Sequence, residues 1–234
     1  MLTAYQTAVQ QLIQLVPSGL IPTPTLTSYI NTARMQLAAD AECIRGQTFL
    51  QFVIGTQTYS FLSLNFPAGV ANVIAVRDGF VVGSANPLEF RSWEWFAAYY
   101  LTTTVPGTPS IVAQQGQGAL GTLFFYPTPD VTATAIFDVV YLPVVLVDDT
   151  TPEVIPALWT DAVPFYAAWL AMMQLQRQAD AHIMLTRYQE LALRGRQEAT
   201  PTVLPDNMPG GPGARVATLK TTLTATPQQP GGGR

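Results

Sequence analysis

The chain has 234 residues, of which 48% are hydrophobic and 11% are charged, and its formal net charge is −4. An average soluble protein has about 25% charged residues. No run of about 20 apolar residues is present, which excludes a membrane-spanning helix, and the few basic residues argue against broad binding of nucleic acid. Residues 1–16 lack the positive start and apolar block of a signal peptide, so we expect a cytosolic protein without membrane contacts.

Such a low charge content is typical of permanent subunit interfaces, which are depleted of charged side chains and can bury several thousand Å². The composition therefore predicts a homo-oligomer, such as a ring or a shell.

Two helices are predicted at the start of the chain. Residues 3–15 carry apolar side chains at helical spacing and end before Pro17. A second helix is predicted over Leu26–Ile44. The predicted apolar faces consist of Ala4, Ala8, Leu12 and Leu15 in the first helix, and of Ile30, Ala33, Leu37, Ala41 and Ile44 in the second.

From Gly46 onward the residues favour strands separated by glycine and proline. Strands are predicted at Val70–Val76, Ser110–Ala113, Thr122–Tyr126 and Thr132–Leu142. The last of these alternates apolar and more polar residues, as in a sheet with unlike faces. Pro87–Tyr100, which is rich in aromatic residues, is predicted to be a short helix.

Helical periodicity returns after an acidic loop that contains Asp148, Asp149 and Glu153, and it continues from Ile155 to Leu191. Asp161 could cap a new helix with Pro164 in its first turn, or Pro164 could kink one continuous helix. The sequence leaves both alternatives open.

Beyond Ala199 the chain is rich in Pro, Gly, Thr and Ala, a composition that cannot form its own core. We expect an extended or disordered arm that orders against a partner.

The predicted fold class is α+β, with an α-helical bundle body, an inserted antiparallel β-rich domain and an extended C-terminal arm. The predicted divisions are residues 1–46 for the N-terminal helices of the body, 47–145 for the inserted β-rich domain, 146–199 for the long C-terminal helix and 200–234 for the arm.

One glycine motif matches a cofactor-binding pattern. Gly116, Gly118 and Gly121 have the G-x-G-x-x-G spacing of dinucleotide sites. In such a site the glycines precede a helix, whereas here they precede Thr122–Tyr126, which favours a strand. A hairpin loop is therefore the favoured interpretation, and we expect no cofactor.

The remaining residues that could act in catalysis or metal binding do not form a recognisable motif with one another. His182 is the only histidine, so no partner for acid–base or metal chemistry is evident. Cys43 is the only cysteine and is predicted to be a buried thiol. Asp148, Asp149 and Glu153 lack the spacing of a calcium loop, and a solvated or channel-facing acidic loop is favoured. We therefore expect no metal site and no enzymatic activity.

Two further groups could bind partners. Five aromatic residues could stack on bases or sugars, although packing in the core or at an interface is favoured because Arg91 is the only basic residue near them. Three arginines near the end of the last helix complement its dipole or contact an acidic partner. These groups are Trp93, Trp95, Phe96, Tyr99 and Tyr100, and Arg187, Arg194 and Arg196.

Several blocks, in this order and spacing, resemble the head-to-tail adaptor (connector) proteins of tailed bacteriophages, and together they cover most of residues 25–205. The blocks are Tyr29–Arg45, Pro87–Tyr100, Gly116–Asp130, Ile155–Gln189 and Ala192–Pro205.

The resemblance implies a structural virion protein at the head-to-tail junction. Members of this family form a ring, commonly of twelve copies, that docks on the portal protein, continues the channel for double-stranded DNA and receives tail or nozzle proteins. The resemblance also implies that the C-terminal arm contacts the portal. The candidate residues for that contact are Arg194, Arg196, Leu204, Arg215, Leu219, Lys220 and Leu223.

Two alternative functions are considered. A tail-associated module that binds a receptor or carbohydrate is suggested by the β-rich centre and the aromatic residues. A nucleotide-dependent enzyme is suggested only by the glycine motif.

Overall fold

The computed structural model describes residues 1–13, 21–84 and 86–199. Met1–Arg196 form one compact unit, and a second unit begins at Gln197. The arm predicted for residues 200–234 lies outside the described residues.

Two helices begin the described chain, strands with one short helix among them follow, and helices end it. In order, they are α1 (Leu2–Leu12), α2 (Thr23–Ala41), β1 (Arg45–Gln51), β2 (Thr58–Ser60), β3 (Val70–Val81), β4 (Glu89–Arg91), α3 (Trp93–Tyr99), β5 (Pro106–Gly107), β6 (Ile111–Gln115), β7 (Thr122–Tyr126), β8 (Thr128–Pro129), β9 (Thr134–Pro143), α4 (Ala157–Thr160), α5 (Ala162–Gln174) and α6 (Gln178–Ala199), with short 3₁₀-helices at Phe61–Ser63 and Gly118–Leu120.

The strands form three sheets within the described residues. One sheet has the order β1-β9-β3, a second has the order β2-β7-β6-β4, and β5 pairs with β8. The first sheet is antiparallel, with Phe49 opposite Ile136 and Ile136 opposite Phe80. β4 pairs with β6 in parallel, and β5 pairs with β8 in parallel. The prediction of a purely antiparallel β-rich region is therefore wrong.

The two N-terminal helices form, but only one of the two predicted faces is right. In α1, Ala4 is exposed, and Leu2, Tyr5 and Val9 are buried instead. These larger side chains are also three to four residues apart, and they remove more apolar surface from water than alanines do. In α2, Ile30, Ala33, Leu37 and Ala41 are buried as predicted, but the helix ends at Ala41 and does not include Ile44.

The predicted α-helical bundle body is wrong. α2 packs against α1 and α5, but it also contacts β9 of the first sheet. Ile30 of α2, Phe137 of β9 and Ala168 of α5 are fully buried in the same hydrophobic cluster. Helices and sheets therefore share one core in a mixed architecture, because α2 cannot bury all its apolar residues against helices alone.

The aromatic segment after residue 87 is only partly helical. Glu89–Arg91 is a strand, and the helix α3 begins after Ser92, whose side chain accepts a hydrogen bond from the Trp95 backbone N–H. α3 links the parallel strands β4 and β6, a connection that requires a crossover of this kind. The prediction of a helix over the whole of Pro87–Tyr100 missed strand β4.

The long C-terminal helix is divided into α4, α5 and α6. α5 begins after Asp161, whose side chain makes no capping hydrogen bond, and Pro164 lies in its first turn. Pro164 thus lies in the first turn of a new helix, as in the first alternative, but the predicted cap by Asp161 is wrong. A second break, between α5 and α6, was not predicted. At this break Gln176 adopts a left-handed φ of 57°.

The break between α5 and α6 predicts that a glycine substitution at the break and one inside α6 have opposite effects on stability. Gln176→Gly should stabilise the protein by about 0.5 to 1 kcal/mol, because glycine adopts positive φ without a steric penalty. Gln189→Gly, at an exposed position inside α6, should destabilise it by about 1 kcal/mol. Urea denaturation of both variants checks this prediction. A destabilised Gln176→Gly variant would contradict the helix break.

Candidate functional site

Two long stretches of the chain contain no charged residue. They run from Gly46 to Val76 and from Trp95 to Pro129. In the fold they supply nearly all of one sheet, because β2, β6 and β7 lie entirely within them. We call residues 46–76 and 95–129 the uncharged region.

The uncharged region exposes many large hydrophobic side chains. Leu120 is 88% exposed, and Leu62 and Tyr99 are each 64% exposed. Others that are exposed are Val53, Ile54, Leu101 and Val105. Interfaces between subunits are depleted of charge and enriched in such residues. The uncharged region is therefore the candidate assembly surface of the protein.

Aromatic packing makes the uncharged region rigid. The rings of Phe52, Tyr59 and Phe125 contact one another at centroid distances of 4.9 to 5.7 Å. The Tyr100 ring stacks on Tyr126 at 4.0 Å. The Tyr59 hydroxyl also accepts a hydrogen bond of 2.8 Å from the Val53 backbone N–H. A surface supported in this way loses little conformational freedom when a partner binds.

The predicted aromatic group is mostly packed. Phe96 is fully buried, and Trp93 lies 4.5 Å from Phe124 between ring centroids. The Arg91 guanidinium lies over the Trp95 ring at 4.8 Å. Tyr99 is the member of the group that is well exposed.

A buried arginine organises the opposite part of the fold. Arg34 on α2 is 1% exposed and forms two hydrogen bonds with Glu153, from Nε to Oε2 at 2.9 Å and from Nη2 to Oε1 at 2.8 Å. Its Nη1 donates to the Val144 carbonyl at 2.7 Å. Asn31, one turn earlier, donates to the Leu146 carbonyl at 3.0 Å and accepts from the Leu146 N–H at 2.8 Å. We call Asn31, Arg34 and Glu153 the Arg34 cluster.

The Arg34 cluster ties α2 to the chain that leaves β9. Oε1 of Glu153 also accepts hydrogen bonds from the backbone N–H groups of Val154 and Ile155, at 2.9 and 3.0 Å. Both charges are thus satisfied inside the protein. Tyr5 packs here as well, and burial together with the negative charge of Glu153 raises its pKa well above the usual value.

The three predicted acidic-loop residues have different surroundings. Glu153 is buried in the Arg34 cluster, with 7% of its side chain exposed. Asp148 is exposed, and hydrogen bonds from Thr150 and Thr151 lower its pKa. Asp149 accepts hydrogen bonds from the Met1 amine and from Thr3, which lower its pKa. Asp148 therefore carries the negative charge of this loop that has no ion-pair partner among the described residues, because Asp149 pairs with the Met1 amine and Glu153 pairs with Arg34.

The predicted arginines lie on the exposed side of α6. Arg187 pairs with Glu190 at 2.8 Å. Arg194 and Arg196 are exposed, and both have interaction partners. Arg196 also lines a shallow pocket of 280 Å³, where the Tyr188 hydroxyl donates to Asp40 at 2.7 Å. The other predicted arm residues, Leu204, Arg215, Leu219, Lys220 and Leu223, lie outside the described residues.

The glycine motif lies in a hairpin, as predicted. β6 and β7 pair in antiparallel fashion, with Gln115 opposite Thr122. Gly116 and Gly118 have φ values of 74° and 64°, which glycine adopts readily in tight turns. The motif thus joins two strands, and no helix N-terminus of the kind that holds a pyrophosphate follows it.

The isolated histidine and cysteine make no constellation with other reactive groups. Cys43 is buried, as predicted, and burial raises the pKa of its thiol to about 11. His182 is exposed on α6. Within residues 1–13, 21–84 and 86–199, no three His, Cys, Asp or Glu side chains are placed to hold a metal ion. In the same part of the chain, no helix is long and apolar enough to cross a membrane.

No protein-family model matches the chain, and no curated protein matches it at a significant level.

Sequence reasoning missed the uncharged region as a unit, although its signal was present. The stretches 46–76 and 95–129 lie apart in the sequence, and the pairing of β2 with β7 joins them. A plot of charge along the chain reveals both stretches. Their proximity could not be predicted, because strand pairing between distant segments leaves no local pattern.

The Arg34 cluster generates a stability prediction. Either Arg34→Met or Glu153→Met should destabilise the protein by about 3 to 5 kcal/mol, because each leaves one buried charge without a partner. The double variant should be less destabilised than the sum of the two single variants. Denaturant unfolding of all three variants gives the coupling energy.

A matched control is available on the surface. Arg45 pairs with Asp138 at 3.1 Å, with 52% and 41% of their side chains exposed. Arg45→Met should cost less than about 1 kcal/mol. Equal losses for Arg34→Met and Arg45→Met would contradict the burial of the Arg34 cluster.

Proposed function

We propose that the protein is a structural adaptor at the head-to-tail junction of a tailed bacteriophage. In this proposal, copies of the chain form a ring that docks on the portal protein, continues the DNA channel and provides the attachment platform for tail proteins. The resemblance of the sequence blocks suggests the family, and twelve copies are what that resemblance implies.

The uncharged region is the observation that carries the proposal. Exposed leucine, isoleucine, valine and tyrosine side chains on a rigid, charge-free sheet favour association over a monomeric state. Stable interfaces bury about 800 Å² per partner. A ring gives each subunit two neighbours, and portal and tail proteins add two further contacts.

The charge of the protein is compatible with DNA as a passing neighbour. The net charge of −4 and the exposed acid Asp148 repel phosphates, whereas Asp149 pairs with the Met1 amine. A channel lined by such groups lets DNA slide without binding it.

The alternative of a carbohydrate-binding module has less support. Aromatic platforms for sugars need exposed rings, whereas Phe96 is buried and Trp93 packs on Phe124. No further observation on the described residues favours that alternative.

Assembly with the portal is the decisive experiment. Purified protein mixed with portal rings should form a second ring on them, visible by electron microscopy and as a discrete complex in native mass spectrometry. The protein alone is measured in parallel, because adaptors of this kind can assemble only on the portal. A protein that stays monomeric and does not bind the portal contradicts the proposal.

The arm gives a separate prediction for portal binding. The double substitution Arg215→Gln and Lys220→Gln should weaken portal binding at least tenfold, because the two basic candidates within residues 200–234 are removed. The far-UV circular dichroism spectrum should not change. The double substitution Arg45→Gln and Arg77→Gln, which also removes two positive charges at exposed positions, is the control for the change in net charge. Unchanged portal affinity in the double variant would remove the arm from the proposed mechanism.

A further inference from the structure

We infer that residues 214–226 of one copy add a strand to the free edge of β1 in the next copy. This inference rests on the self-association in the proposed function, and it names the segment and the sheet edge through which neighbouring subunits contact each other. We call residues 214–226 the arm strand.

β1 is an edge strand whose outer backbone groups are available for pairing. The sheet order is β1-β9-β3, and the Phe52 N–H at the end of β1 donates to the Ala133 carbonyl on the β9 side. Alternate residues of an antiparallel strand bond to the same side, so the odd-numbered residues of β1 direct their backbone groups away from β9. The outward N–H groups that form no hydrogen bond within the described part of the chain belong to Gln47, Phe49 and Gln51. The Gln47 carbonyl accepts a hydrogen bond from the Tyr141 hydroxyl at 3.2 Å.

β1 also lacks the features that protect a sheet edge. The opposite edge strand, β3, has three register shifts, and the Gln114 side chain bonds to its Val76 N–H at 3.0 Å and to its Ile74 carbonyl at 3.2 Å. β1 pairs with β9 without a register shift, and residues 46–51 contain no proline and no charge. Bulges, prolines and charged side chains normally keep an edge from pairing with another chain. The edge of β1 is therefore open to strand addition.

An apolar row on the outer face of this sheet ends at β1. Phe49 lies opposite Ile136 on β9, and Ile136 lies opposite Phe80 on β3. Phe49 and Phe80 are 47% and 46% exposed. Neighbouring side chains on one face of a sheet stabilise it, so an apolar residue beside Phe49 would extend the row. β1 from Gly46 onward is also part of the uncharged region, which is the candidate assembly surface.

The arm strand has the sequence pattern of a strand with unlike faces. Residues 214–226 lie outside the described residues, and they form the longest segment beyond Ala199 without proline or glycine. Six of the 13 residues are β-branched, and Gly213 and Pro227 bound the segment. Apolar residues recur at every second position or at multiples of it, and they are Ala217, Leu219, Leu223 and Ala225. The positions between them are polar, so the pattern has the period of a strand.

The backbone groups of the edge select the arm strand as the occupant. A row of N–H and C=O groups at strand spacing is matched by another extended backbone, and no side chain reproduces it. The strands within the described residues are already paired in three sheets, and the arm strand is the long remaining segment with a strand pattern. Its leucines supply the apolar residue that the row beside Phe49 can accept.

A second copy of this chain supplies the arm strand. The arm strand and the edge of β1 are different surfaces of identical chains, so each copy can donate one and offer the other. Such a head-to-tail contact repeats from copy to copy and closes into a ring when the rotation permits.

Disulfide trapping in the full-length chain tests this pairing, because adjacent strands place only residues of the same face within disulfide distance. Gln47 is exposed and lies on the same face as Phe49. Gln47→Cys is combined in turn with a cysteine in the apolar set of the arm strand, by Leu219→Cys, Thr221→Cys or Leu223→Cys. At least one of these pairs should give dimers and higher multimers on mild oxidation. Native Cys43 is buried and should not react.

Two kinds of control accompany the trapping experiment. Gln47→Cys combined with Lys220→Cys, Thr222→Cys or Thr224→Cys, on the other face of the arm strand, should give no multimers. Val82→Cys with Thr221→Cys should give none either, since Val82 is 53% exposed on the β3 side of the sheet. Products that stay monomeric, including those closed within one chain, overturn the inference. Equal cross-linking of both faces also overturns it, because random collisions have no period of two.

Amide hydrogen exchange provides an independent test. Under the conditions that give cross-links, the Phe49 and Gln51 N–H groups of the wild-type protein should exchange at least tenfold more slowly than those of Leu219→Pro, because proline interrupts the arm strand. Asn207→Pro, outside the arm strand, is the matched control and should exchange like the wild type. Equal exchange in the wild type and in Leu219→Pro contradicts the pairing.

Failure of this inference is distinguishable from failure of the proposed function. Rings on the portal without cross-links through the apolar set leave the proposed function in place and overturn the inference. Cross-links through the apolar set in a protein that does not bind the portal support the inference and remove the portal role.

Discussion

The buried ion pair of Arg34 and Glu153 is the interaction on which the described fold depends. Arg34 lies on α2, and its hydrogen bonds reach Val144 before the acidic loop and Glu153 within it. The chain between β9 and α4 is irregular, and it is held to α2 by this side chain and by Asn31. If the contact between Arg34 and Glu153 were broken, both buried charges and the backbone groups bonded to them would lose partners together.

The Arg34 cluster also explains why helices and sheet form one core. β9 is the central strand of its sheet, and the segment that follows it runs directly to the cluster on α2. α5 then packs against both α1 and α2. A single polar anchor thus sets the position of α2 relative to the sheet, and the surrounding aliphatic residues supply the apolar contacts.

Local patterns in the sequence predicted most individual elements. The face of α2, the strand Thr122–Tyr126 and the alternation of β9 could be predicted because each depends on the spacing of neighbouring residues. The bundle body was wrong because apolar periodicity shows that a face is buried and does not show which element covers it. The break at Gln176 was missed because a glutamine carries no signal for positive φ.

The candidate site was less predictable than the fold. Glu153 was grouped with Asp148 and Asp149 because the three are close in sequence, yet its partner Arg34 is 119 residues away. No local pattern distinguishes a buried carboxylate from two exposed ones. The hairpin at Gly116–Gly121 was predictable, because the strand propensity of the following residues favours a hairpin loop over a dinucleotide-binding site.

The distribution of partners among the arginines determines how this protein can recognise others. Arg34, Arg45, Arg77, Arg91, Arg177 and Arg187 form ion pairs within the chain, and Arg194 and Arg196 also have partners. The uncharged region adds no charges of its own. A subunit contact through that region therefore depends on shape and apolar burial, which salt screens far less than it screens exposed charge pairs. In the proposed adaptor, such a contact suits a junction through which DNA passes, because the forces between subunits stay independent of the ions that accompany DNA.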